Sequence, residues 1–402
     1  MMHCVRTITP EVLFLGASDR RLALFESVYP IPRGVSYNSY LVLDEKTVLL
    51  DTADNAVSGQ FFENLAQGLQ GRPLDYIIVN HMEPDHAATL GEVLRRFPEA
   101  KVVASAKAIG MIGQFFDCDL TGRTIAVKEG DTLNTGRRTF RFVMAPMVHW
   151  PEVMVTYEET EKILFSADAF GTFGALNGNI FADEVNFEAN WLEDARRYYT
   201  NIVGKYGAQV QSLLKKAAGL EIAYVCPLHG PIWRQAEGIG WFVEKYQRWS
   251  TYTPEDRAVA IFVGSIYGNT VNAAEILAAR LADKGVKGIA LYDVSYTHVS
   301  TLVAEAFRCS HLVFASATYN AEIYTPMDNF LRDLKSHGLR NRTAALIENG
   351  SWAAVSGKQM TELLGGMKDM KLLEGTVSLK STVKDSSGLE ALADALAADI
   401  LA

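Results

Sequence analysis

Cysteine is scarce in this chain of 402 residues, and its placement excludes a cysteine-based metal module. The four cysteines are Cys4, Cys118, Cys226 and Cys309, and no C-x-x-C pair occurs among them. Zinc ribbons and rubredoxin-like sites require such pairs, so neither is expected. Scattered cysteines of this kind are typical of an intracellular protein, in which we expect reduced and buried thiols.

Long apolar runs are also missing. No stretch reaches the roughly 18–20 apolar residues of a membrane-spanning helix, so no membrane partner is expected. The chain begins Met-Met-His-Cys-Val-Arg-Thr, which contains neither the apolar segment nor the small-residue cleavage site of a secretory signal. We therefore predict a cytoplasmic protein.

Positive charge is in deficit. The chain has 38 lysines and arginines against 47 aspartates and glutamates, which gives a formal net charge of −9. Domains that bind nucleic acid usually carry a positive patch that neutralises phosphates, so we predict no nucleic-acid partner. The mildly acidic balance mainly favours solubility.

The length and composition predict two domains. A domain usually has about 100–200 residues, and an apolar content of 49% is sufficient for full cores. The segment 249–256 is polar and contains Pro254, which is typical of a linker. We therefore place the domains at residues 1–250 and 257–402.

The first domain shows short strand patterns separated by turns. Tyr40–Asp44 and Thr47–Asp51 flank a Glu-Lys turn and predict a hairpin. Tyr76–Asn80 is a continuous apolar run that predicts a buried strand, and it ends directly before His81. Further strands are predicted at residues 11–16, 101–104, 139–144, 154–157 and 162–166, and helices at about 89–97 and 186–216, the second interrupted at Gly204.

After the linker, strand and helix patterns alternate strictly. The strands are predicted at residues 258–263, 288–294, 311–316, 343–348 and about 376–379. The helices are predicted at residues 270–284, 299–308, 327–337, 358–367 and 388–401. Five strands with interleaved helices are typical of a doubly wound parallel sheet.

The strongest functional pattern is a group of four potential metal ligands within six residues: His81, Glu83, Asp85 and His86. They follow the predicted strand 76–80, so they lie on the loop at its end. Three more candidates stand at the ends of strand-like segments: His149 after residues 141–146, Asp168 after residues 163–166 and His229 after residues 224–227.

Taken alone, each candidate has an ordinary explanation. His149 precedes Trp150 and could be a hydrogen-bonded core or surface histidine, and Asp168 could be a turn aspartate. Together they predict a metal site, because several charged groups gathered at strand ends need a compensating cation.

The order and spacing of these residues resemble the metallo-β-lactamase superfamily, whose hydrolases carry His-x-His-x-Asp-His followed by a distant His, an Asp and a last His. Glu83 stands at the position of the second His of that motif. A carboxylate favours iron and redox chemistry over zinc and hydrolysis. The pattern His-x-Glu-x-Asp-His is similar to that of flavodiiron proteins, also called A-type flavoproteins. The segments His149-Trp-Pro-Glu152 and Cys226-Pro-Leu-His229-Gly resemble the later ligand segments of the same family.

The resemblance implies a role for each residue. His81, Glu83 and His149 would bind one iron, Asp85 and His229 would bind the other, and Asp168 would bridge the two. These six residues are also the predicted catalytic residues. His86 is the seventh predicted metal residue, and two alternatives stay open for it: ligation of the second iron, or a position close by without ligation.

A second pattern follows the first strand of the β/α region. It is the loop Ser265-Ile266-Tyr267-Gly268-Asn269-Thr270, which precedes a predicted helix. Hydroxyls, a glycine and a helix N-terminus favour phosphate binding, although a simple capped helix would look the same. Two more loops at strand ends contain Thr318, Tyr319 and Asn320, and Asn349, Gly350, Ser351 and Trp352.

These three loops are similar to those that hold FMN in flavodoxins. The resemblance implies that the first loop holds the phosphate and that Tyr319 and Trp352 lie beside the flavin ring. No Gly-x-Gly-x-x-Gly fingerprint follows a strand, so NAD(P)H binding is not indicated.

The combined expectation is a metallo-β-lactamase-like αββα sandwich followed by a flavodoxin-like, doubly wound, five-stranded parallel sheet. The resemblance implies FMN and two irons as cofactors, an electron donor such as rubredoxin, reduction of O2 to water or of NO to N2O, and a head-to-tail homodimer or a tetramer. The sequence does not distinguish O2 from NO. Two other interpretations are a zinc hydrolase with an accessory flavin domain, against which Glu83 argues, and a flavin electron carrier without catalytic activity, against which the full ligand set argues.

Overall fold

The computed structural model describes residues 3–402. Their contacts divide the chain into two compact units. The first comprises the residues through Tyr199 together with Ala208–Gln247, and the second comprises Thr200–Gly207 together with Arg248–Ala402. The predicted domain limits, 1–250 and 257–402, stay a prediction.

The first unit is built mainly of short strands. They are β1 (Arg6–Thr9), β2 (Val12–Phe14), β3 (Ala17–Asp19), β4 (Leu24–Phe25), β5 (Tyr29–Pro30), β6 (Val35–Tyr37), β7 (Tyr40–Leu43), β8 (Thr47–Leu50), β9 (Tyr76–Val79), β10 (Lys101–Ser105), β11 (Thr124–Val127), β12 (Thr132–Asn134), β13 (Thr139–Met144), β14 (Met154–Glu158), β15 (Ile163–Phe165) and β16 (Tyr224–Cys226).

Helices follow many of these strands. They are α1 (Ser58–Leu69), α2 (Pro84–Ala87), α3 (Leu90–Arg96), α4 (Ala106–Phe115), α5 (Phe187–Asn190), α6 (Leu192–Tyr198), α7 (Gly207–Ala217) and α8 (Ala236–Ser250). Short 3-10 turns lie at Asn55–Val57, Ala182–Glu184 and Gly204–Tyr206, and a π-helical turn at Tyr199–Val203. The long helix predicted at 186–216 is therefore several pieces, and the predicted interruption at Gly204 is a 3-10 turn.

Two large sheets form the core of this unit. One has the order β1-β2-β7-β8-β9-β10-β11, and the other has the order β12-β13-β14-β15-β16. The predicted hairpin is confirmed, with Leu43 paired to Thr47 across the β7–β8 turn. The sheets pack against each other: the rings of Tyr40 on β7 and Phe165 on β15 lie 5.3 Å apart.

The second unit is the predicted alternation of strands and helices. Its strands are β17 (Asp256–Gly264), β18 (Ile289–Asp293), β19 (Cys309–Tyr319), β20 (Glu322–Ile323), β21 (Arg342–Asn349), β22 (Met370–Leu372) and β23 (Val377–Leu379). Its helices are α9 (Asn269–Asp283), α10 (Val299–Arg308), α11 (Thr325–Ser336), α12 (Ser356–Gly365) and α13 (Ser387–Leu401). The main sheet has the order β18-β17-β19-β21-β22, and all its pairs are parallel.

The sheet of the second unit is covered on both faces. Alternate side chains of a strand point to opposite faces, and in β17 Phe262 lies in one apolar core while Ile261 lies in the other. The first core includes Phe330 of α11, and the second includes Leu277 of α9. The predicted doubly wound sheet is confirmed, with one difference. The fifth strand position is shared by β22 and β23, which pair with the beginning and the end of β21.

The four cysteines differ in how far they are buried. The four cysteines are free thiols, and Cys226 and Cys309 are buried as expected. Cys118 is only partly buried and Cys4 is exposed, so the expectation of buried thiols is wrong for these two. The backbone N–H of Cys4 donates to Asn64 Oδ1 at 2.8 Å, and the chain there lies outside the sheet, ahead of β1.

Among residues 3–402, no helix combines the length and the apolar character needed to cross a membrane.

Candidate functional site

The seven predicted metal residues come together at one edge of the first unit. His81 follows β9, and Glu83 directly precedes α2, whose first residue is Pro84. Asp168 and His229 follow β15 and β16, which are parallel neighbours, so their carboxyl ends lie side by side. His149 lies in the connection between β13 and β14. Strands of both sheets therefore deliver the side chains to one place.

The seven side chains form two adjacent groups in which each residue offers one ligand atom. The first group comprises His81, Glu83, His149 and Asp168, and the second comprises Asp85, His86 and His229. In the first, Nε2 of His149 lies 2.9 Å from Glu83 Oε2, and Nε2 of His81 lies 3.2 Å from the same oxygen. In the second, Nε2 atoms of His86 and His229 lie 3.0 Å apart. His86 thus points its Nε2 into the second group.

Asp168 lies between the two groups. Its Oδ2 is 3.3 Å from His81 Nε2 and 3.1 Å from His149 Nε2. Its Oδ1 is 3.2 Å from His86 Nε2 and 3.8 Å from His229 Nε2. One carboxylate therefore presents one oxygen to each group, as a ligand shared by two metal ions would.

In His81 and His229, the other ring nitrogen is held by a residue for which the sequence predicted no role. Nδ1 of His81 donates to Glu152 Oε1 at 2.8 Å, and Nδ1 of His229 donates to the Ser36 carbonyl at 2.7 Å. Such bonds keep a proton on Nδ1, so Nε2 is the nitrogen available to a metal, and they fix the direction of the ring. The position of Glu152, three residues after His149, was a signal for it, whereas the Ser36 carbonyl carries no side-chain signal at all.

The loop that carries His81 is fastened by Asp51. Oδ1 of this buried aspartate accepts from the backbone N–H groups of Asn80 and His81, at 2.8 and 3.2 Å. Burial raises the pKa of Asp51 to about 6, although its hydrogen bonds with Asn80 oppose the rise. Thr156 Oγ1 also donates to Asn80 Oδ1 at 2.7 Å, which links the loop to β14 of the other sheet.

The electrostatics of the site favour a cation. Burial alone would raise the pKa of Asp168, but the charge of His81 and the close imidazoles of His149 and His86 hold it well below its usual range. Burial alone would lower the pKa of His149, but the close carboxylates of Asp168 and Glu83 raise it to about 9. Protons on the imidazoles thus balance the carboxylates, and metal ions would take their place.

Unsatisfied atoms point to the same conclusion. Among the described residues, both carboxylate oxygens of Asp85, Oδ1 of Asp168 and Nε2 of His149 are buried and form no hydrogen bond, although charged side chains of the site lie close to them. Buried polar atoms nearly always have partners, so atoms that converge without them are suited to coordinate an ion. The donor set of imidazoles and carboxylates therefore fits two metal ions.

Aromatic rings that the sequence did not indicate surround the second group. Phe25, Tyr37 and Tyr198 place their ring centroids 5.5, 5.9 and 5.4 Å from that of His229. Beside them, loss of surrounding water and the charge of Glu83 raise the pKa of Glu26 to about 8. These residues come from segments far apart in the chain, so only the fold brings them to the site.

The three predicted flavin loops line one cavity of about 130 Å³ in the second unit. Ten of the predicted residues line it: Ser265, Ile266, Tyr267, Asn269, Thr270, Thr318, Asn349, Gly350, Ser351 and Trp352. Gly268, Tyr319 and Asn320 are not among its lining residues. Ala317, Ala321, Ala353 and Ser381 line it as well and were not predicted. Ser381 follows β23, so the strand-end rule could have found it.

Hydrogen bonds hold the loops together. The backbone N–H of Gly268, which has φ +88°, donates to Ser265 Oγ at 3.1 Å just before α9 begins. Asn349 Nδ2 donates to the carbonyl of Ser381 at 2.9 Å, and the N–H of Ser381 donates to Asn349 Oδ1 at 2.9 Å. The result is a cradle of hydroxyls at the N-terminus of a long helix, which fits a phosphate group.

Aromatic side chains stand at the mouth of this cradle. Tyr267 is 92% exposed and Trp352 is 93% exposed, so neither is simply a buried loop residue. Exposed aromatic faces beside a phosphate cradle fit a planar ring, which they would cover. The chemistry of the cavity therefore fits a flavin mononucleotide.

Known proteins resemble the chain along nearly its whole length. The family model described as "ODP family beta lactamase" matches residues 35–230. An anaerobic nitric oxide reductase flavorubredoxin from Vibrio vulnificus is 31% identical over 85% of this chain and 69% of its own. The flavodiiron protein from Giardia intestinalis superposes with a TM-score of 0.92 and 25% identity, over 99% of this chain and 97% of its own.

The chain belongs to the flavodiiron protein family. Its similarity extends to the rubredoxin oxygen:oxidoreductase from Desulfovibrio gigas, with a TM-score of 0.90 and 29% identity over 99% of this chain and 98% of the other. The expected fold of this flavodiiron protein, a metallo-β-lactamase-like unit followed by a flavodoxin-like parallel sheet, is confirmed.

Proposed function

We propose that this flavodiiron protein is an oxidoreductase that reduces O2 to water, NO to N2O, or both, at two iron ions, with electrons that pass through FMN from a separate donor. Relatives of both kinds support the proposal, since one is named a nitric oxide reductase and another a rubredoxin oxygen:oxidoreductase. Rubredoxin or a similar carrier is the proposed donor. Assembly as a head-to-tail homodimer or a tetramer, and a cytoplasmic location, stay predictions.

The position of Asp168 carries the proposal. A single carboxylate with one oxygen toward each group of ligands supports a binuclear site. In the proposed site His81, Glu83 and His149 hold one ion, Asp85 and His229 hold the other, and Asp168 bridges them. Because Nε2 of His86 lies 3.3 Å from Asp85 Oδ2, within the second group, we assign His86 to the second ion.

The carboxylates favour iron over zinc. Glu83, Asp85 and Asp168 supply hard anionic oxygens, which lower the energy of the ferric state relative to an all-imidazole site. When bound, two ferrous ions supply electrons and open coordination positions for a small gas. The protein's own part is to hold the ligands: Glu152 and the Ser36 carbonyl orient two imidazoles, and Asp51 holds the loop.

The proposed FMN contacts are of two kinds, those to the phosphate and those to the flavin ring. The proposed phosphate contacts are Ser265, Ile266, Tyr267, Gly268, Asn269 and Thr270, with the N-terminus of α9. The proposed ring contacts come from the other two loops, residues 318–320 and 349–352, with Trp352 able to cover one face. Gly268, Tyr319 and Asn320 do not line the cavity and are kept as candidates from the family resemblance alone.

A direct experiment begins with metal and flavin analysis of the purified protein. The protein is then reduced without oxygen, and consumption of O2 and of NO is followed by electrode under the same donor supply. We expect iron, FMN and turnover of at least one gas. Zinc in place of iron with hydrolytic turnover would show a hydrolase instead. Full iron and FMN without turnover of either gas would show an electron carrier.

A substitution of Asp168 tests the binuclear site directly. Asp168→Asn removes the shared negative charge while it keeps the shape of the side chain, so we expect less than two irons per chain and loss of gas turnover. Asp131→Asn is a suitable control, since Asp131 lies at the surface and Oδ2 only accepts from the N–H of Lys128, at 3.0 Å. Retention of turnover in Asp168→Asn would contradict the binuclear site.

A further inference from the structure

A cavity of about 300 Å³ leads from the surface of the first unit to the two groups of metal residues. Its lining includes five carboxyl groups: Asp19, Glu26 and Asp54, together with Glu83 and Asp85 of the metal site. Glu26, whose pKa is raised to about 8, is mainly protonated at neutral pH, and the others supply the negative charge. No lysine, arginine or histidine is among its lining residues. In this protein the only charge that the cavity wall presents is negative.

The floor of the cavity is ready to receive a cation. Asp85 is 9% exposed. Its Oδ2 lies 3.3 and 3.2 Å from Nε2 of His86 and His229, but neither of its oxygens accepts a hydrogen bond among the described residues. A buried carboxylate without a hydrogen bond is unfavourable in the metal-free chain, and a cation that arrives from the cavity would relieve this. This observation is independent of Asp19 and Asp54.

Backbone N–H groups hold the carboxylates of Asp54 and Asp19 in place. Asp54 Oδ1 accepts from the N–H of Ala56 at 2.7 Å, and Asp19 Oδ1 accepts from the N–H groups of Arg21 and Leu22 at 2.7 and 3.1 Å. Neither belongs to the two groups of metal residues. Their charges reach the site, because the pKa of Asp54 is raised by burial and further by the charges of Asp85 and Asp19.

We propose that this cavity is the route by which Fe²⁺ reaches the binuclear site, with Asp19 and Asp54 attracting the ion and Asp85 and Glu83 receiving it. The inference rests on the proposed function for the identity of the metal. A cleft lined by charges of one sign focuses the electric field and raises the local concentration and the association rate of the opposite charge. Carboxylate oxygens are also suitable transient ligands for a hard divalent cation.

The test measures metal uptake and needs no gas turnover. The full-length protein is freed of metal by a chelator, and its circular dichroism is compared with that of the untreated protein. Fe²⁺ alone is then added without oxygen, and bound iron is counted after rapid gel filtration at successive times. The variant is the double substitution Asp19→Asn with Asp54→Asn. Asparagine keeps the oxygen that accepts the backbone N–H groups, so the local turns are preserved.

We expect the double variant to take up Fe²⁺ about 3–10-fold more slowly at low ionic strength, because two of the charges that attract the ion electrostatically are lost. The difference should shrink in high salt, because salt screens interactions between charges. The final iron content should equal that of the unchanged protein, since the two ligand groups are intact. Glu26 is left unchanged, because it contacts Glu83 and its substitution would alter the site itself.

A matched control has the same change in charge. Asp119 and Asp385 also accept a bond from the N–H two residues later, Thr121 and Ser387, each at 2.9 Å, and neither lines the cavity. The double variant Asp119→Asn with Asp385→Asn should therefore load iron at the rate of the unchanged protein. Loading of the two double variants at equal rates would overturn the route.

Two further outcomes separate the route from the function. A lower final iron content in Asp19→Asn with Asp54→Asn would overturn the route, because these residues would then hold the metal in place. A parallel series with Zn²⁺ tests the identity of the metal. Uptake of Zn²⁺ but not of Fe²⁺ by the unchanged protein would refute the proposed function, whereas a slower Zn²⁺ uptake in the cavity variant would still support the route.

Discussion

His81 donates from Nδ1 to Oε1 of Glu152 at 2.8 Å, and this pairing joins two loops that are 71 residues apart. The same oxygen accepts from the N–H of Met82 at 2.9 Å, and the glutamate is 2% exposed. The bond sets which nitrogen of His81 faces the ligand groups. It also makes the imidazole a stronger donor to a metal.

The first prediction concerns this glutamate. Glu152→Gln keeps the size of the side chain but removes its charge, and it can present an N–H toward His81. We expect metal affinity to fall about 10–100-fold, as is usual for loss of a carboxylate behind a ligand histidine. Competition with a chelator of known affinity measures this. Glu159→Gln, which removes a surface pair with Arg141, is the control and should leave the affinity unchanged.

The second prediction concerns Gly350 in the flavin cavity. A Cβ at this position would lie 2.0 Å from the carbonyl oxygen of Ala353, so the loop cannot keep its shape with alanine. We expect Gly350→Ala to lower FMN content and to weaken FMN binding, which fluorescence titration measures. Gly365→Ala at the end of α12 is the control, because a Cβ there meets nothing within 4 Å. Equal FMN binding by the two variants would show that this loop does not shape the flavin site.

The third prediction concerns the pH dependence of stability through Asp399 on α13. Its carboxylate pairs with Lys371 and accepts from Thr343 Oγ1 and His311 Nε2, each at 3.0 Å, and the hydrogen bond with Lys371 is the main cause that lowers its pKa to about 2. A carboxyl group with a lowered folded pKa stabilises the fold above its unfolded value, about 3.9, and this contribution is lost as the pH falls toward 2.

Urea unfolding tests this. Asp399→Asn should lower the free energy of unfolding by about 1–2 kcal/mol at pH 7, and the difference from the unchanged protein should narrow between about pH 4 and pH 2. The control is Asp394→Asn on the same helix, whose side chain is 65% exposed in its pair with Lys284. Exposed pairs contribute little, so a loss as large in Asp394→Asn would argue against the specific role of Asp399.

The fourth prediction concerns Arg342 at the start of β21, which is 2% exposed. Its guanidinium donates to backbone carbonyls, including Ala306 at 2.9 Å and Tyr252 at 2.7 Å. Lysine cannot reach several carbonyls at once, so we expect Arg342→Lys to destabilise the second unit by about 2–4 kcal/mol through buried acceptors without partners.

Thermal unfolding, with and without added FMN, measures the loss of stability in Arg342→Lys. Arg332→Lys on α11 is the control, since Arg332 forms an exposed ion pair with Asp328, four residues earlier. The control should change the free energy of unfolding by less than about 0.5 kcal/mol. Equal melting temperatures for Arg342→Lys and the unchanged protein would contradict the role of the buried arginine.

Much of the fold was visible in local patterns. Tyr76–Asn80 predicted β9 because a continuous apolar run suits a strand buried on both faces, and the strict alternation after residue 257 predicted the parallel sheet. The misses have local causes as well. β22 has only three residues, two of them partly buried and one exposed, so its pattern is weak. The helix predicted at 186–216 has its first break at Trp191, whose backbone leaves the helical region with φ −130° and whose ring packs under Arg33 at 4.8 Å. Local propensity does not encode such a tertiary contact.

The sequence by itself determined the metal and flavin candidates, because their residues stand at strand ends. Most of these strands are parallel neighbours, whose carboxyl ends lie together, whereas His149 lies between the antiparallel strands β13 and β14. The tertiary structure alone decided the rest: the pairing of His81 with Glu152, the position of Asp168 between the two ligand groups, and the acidic cavity that Asp19 and Asp54 line together with Asp85. These relationships join residues from segments distant in the chain, and a side-chain direction or a distance between such segments is set by packing of the whole unit. Local patterns carry no information about it.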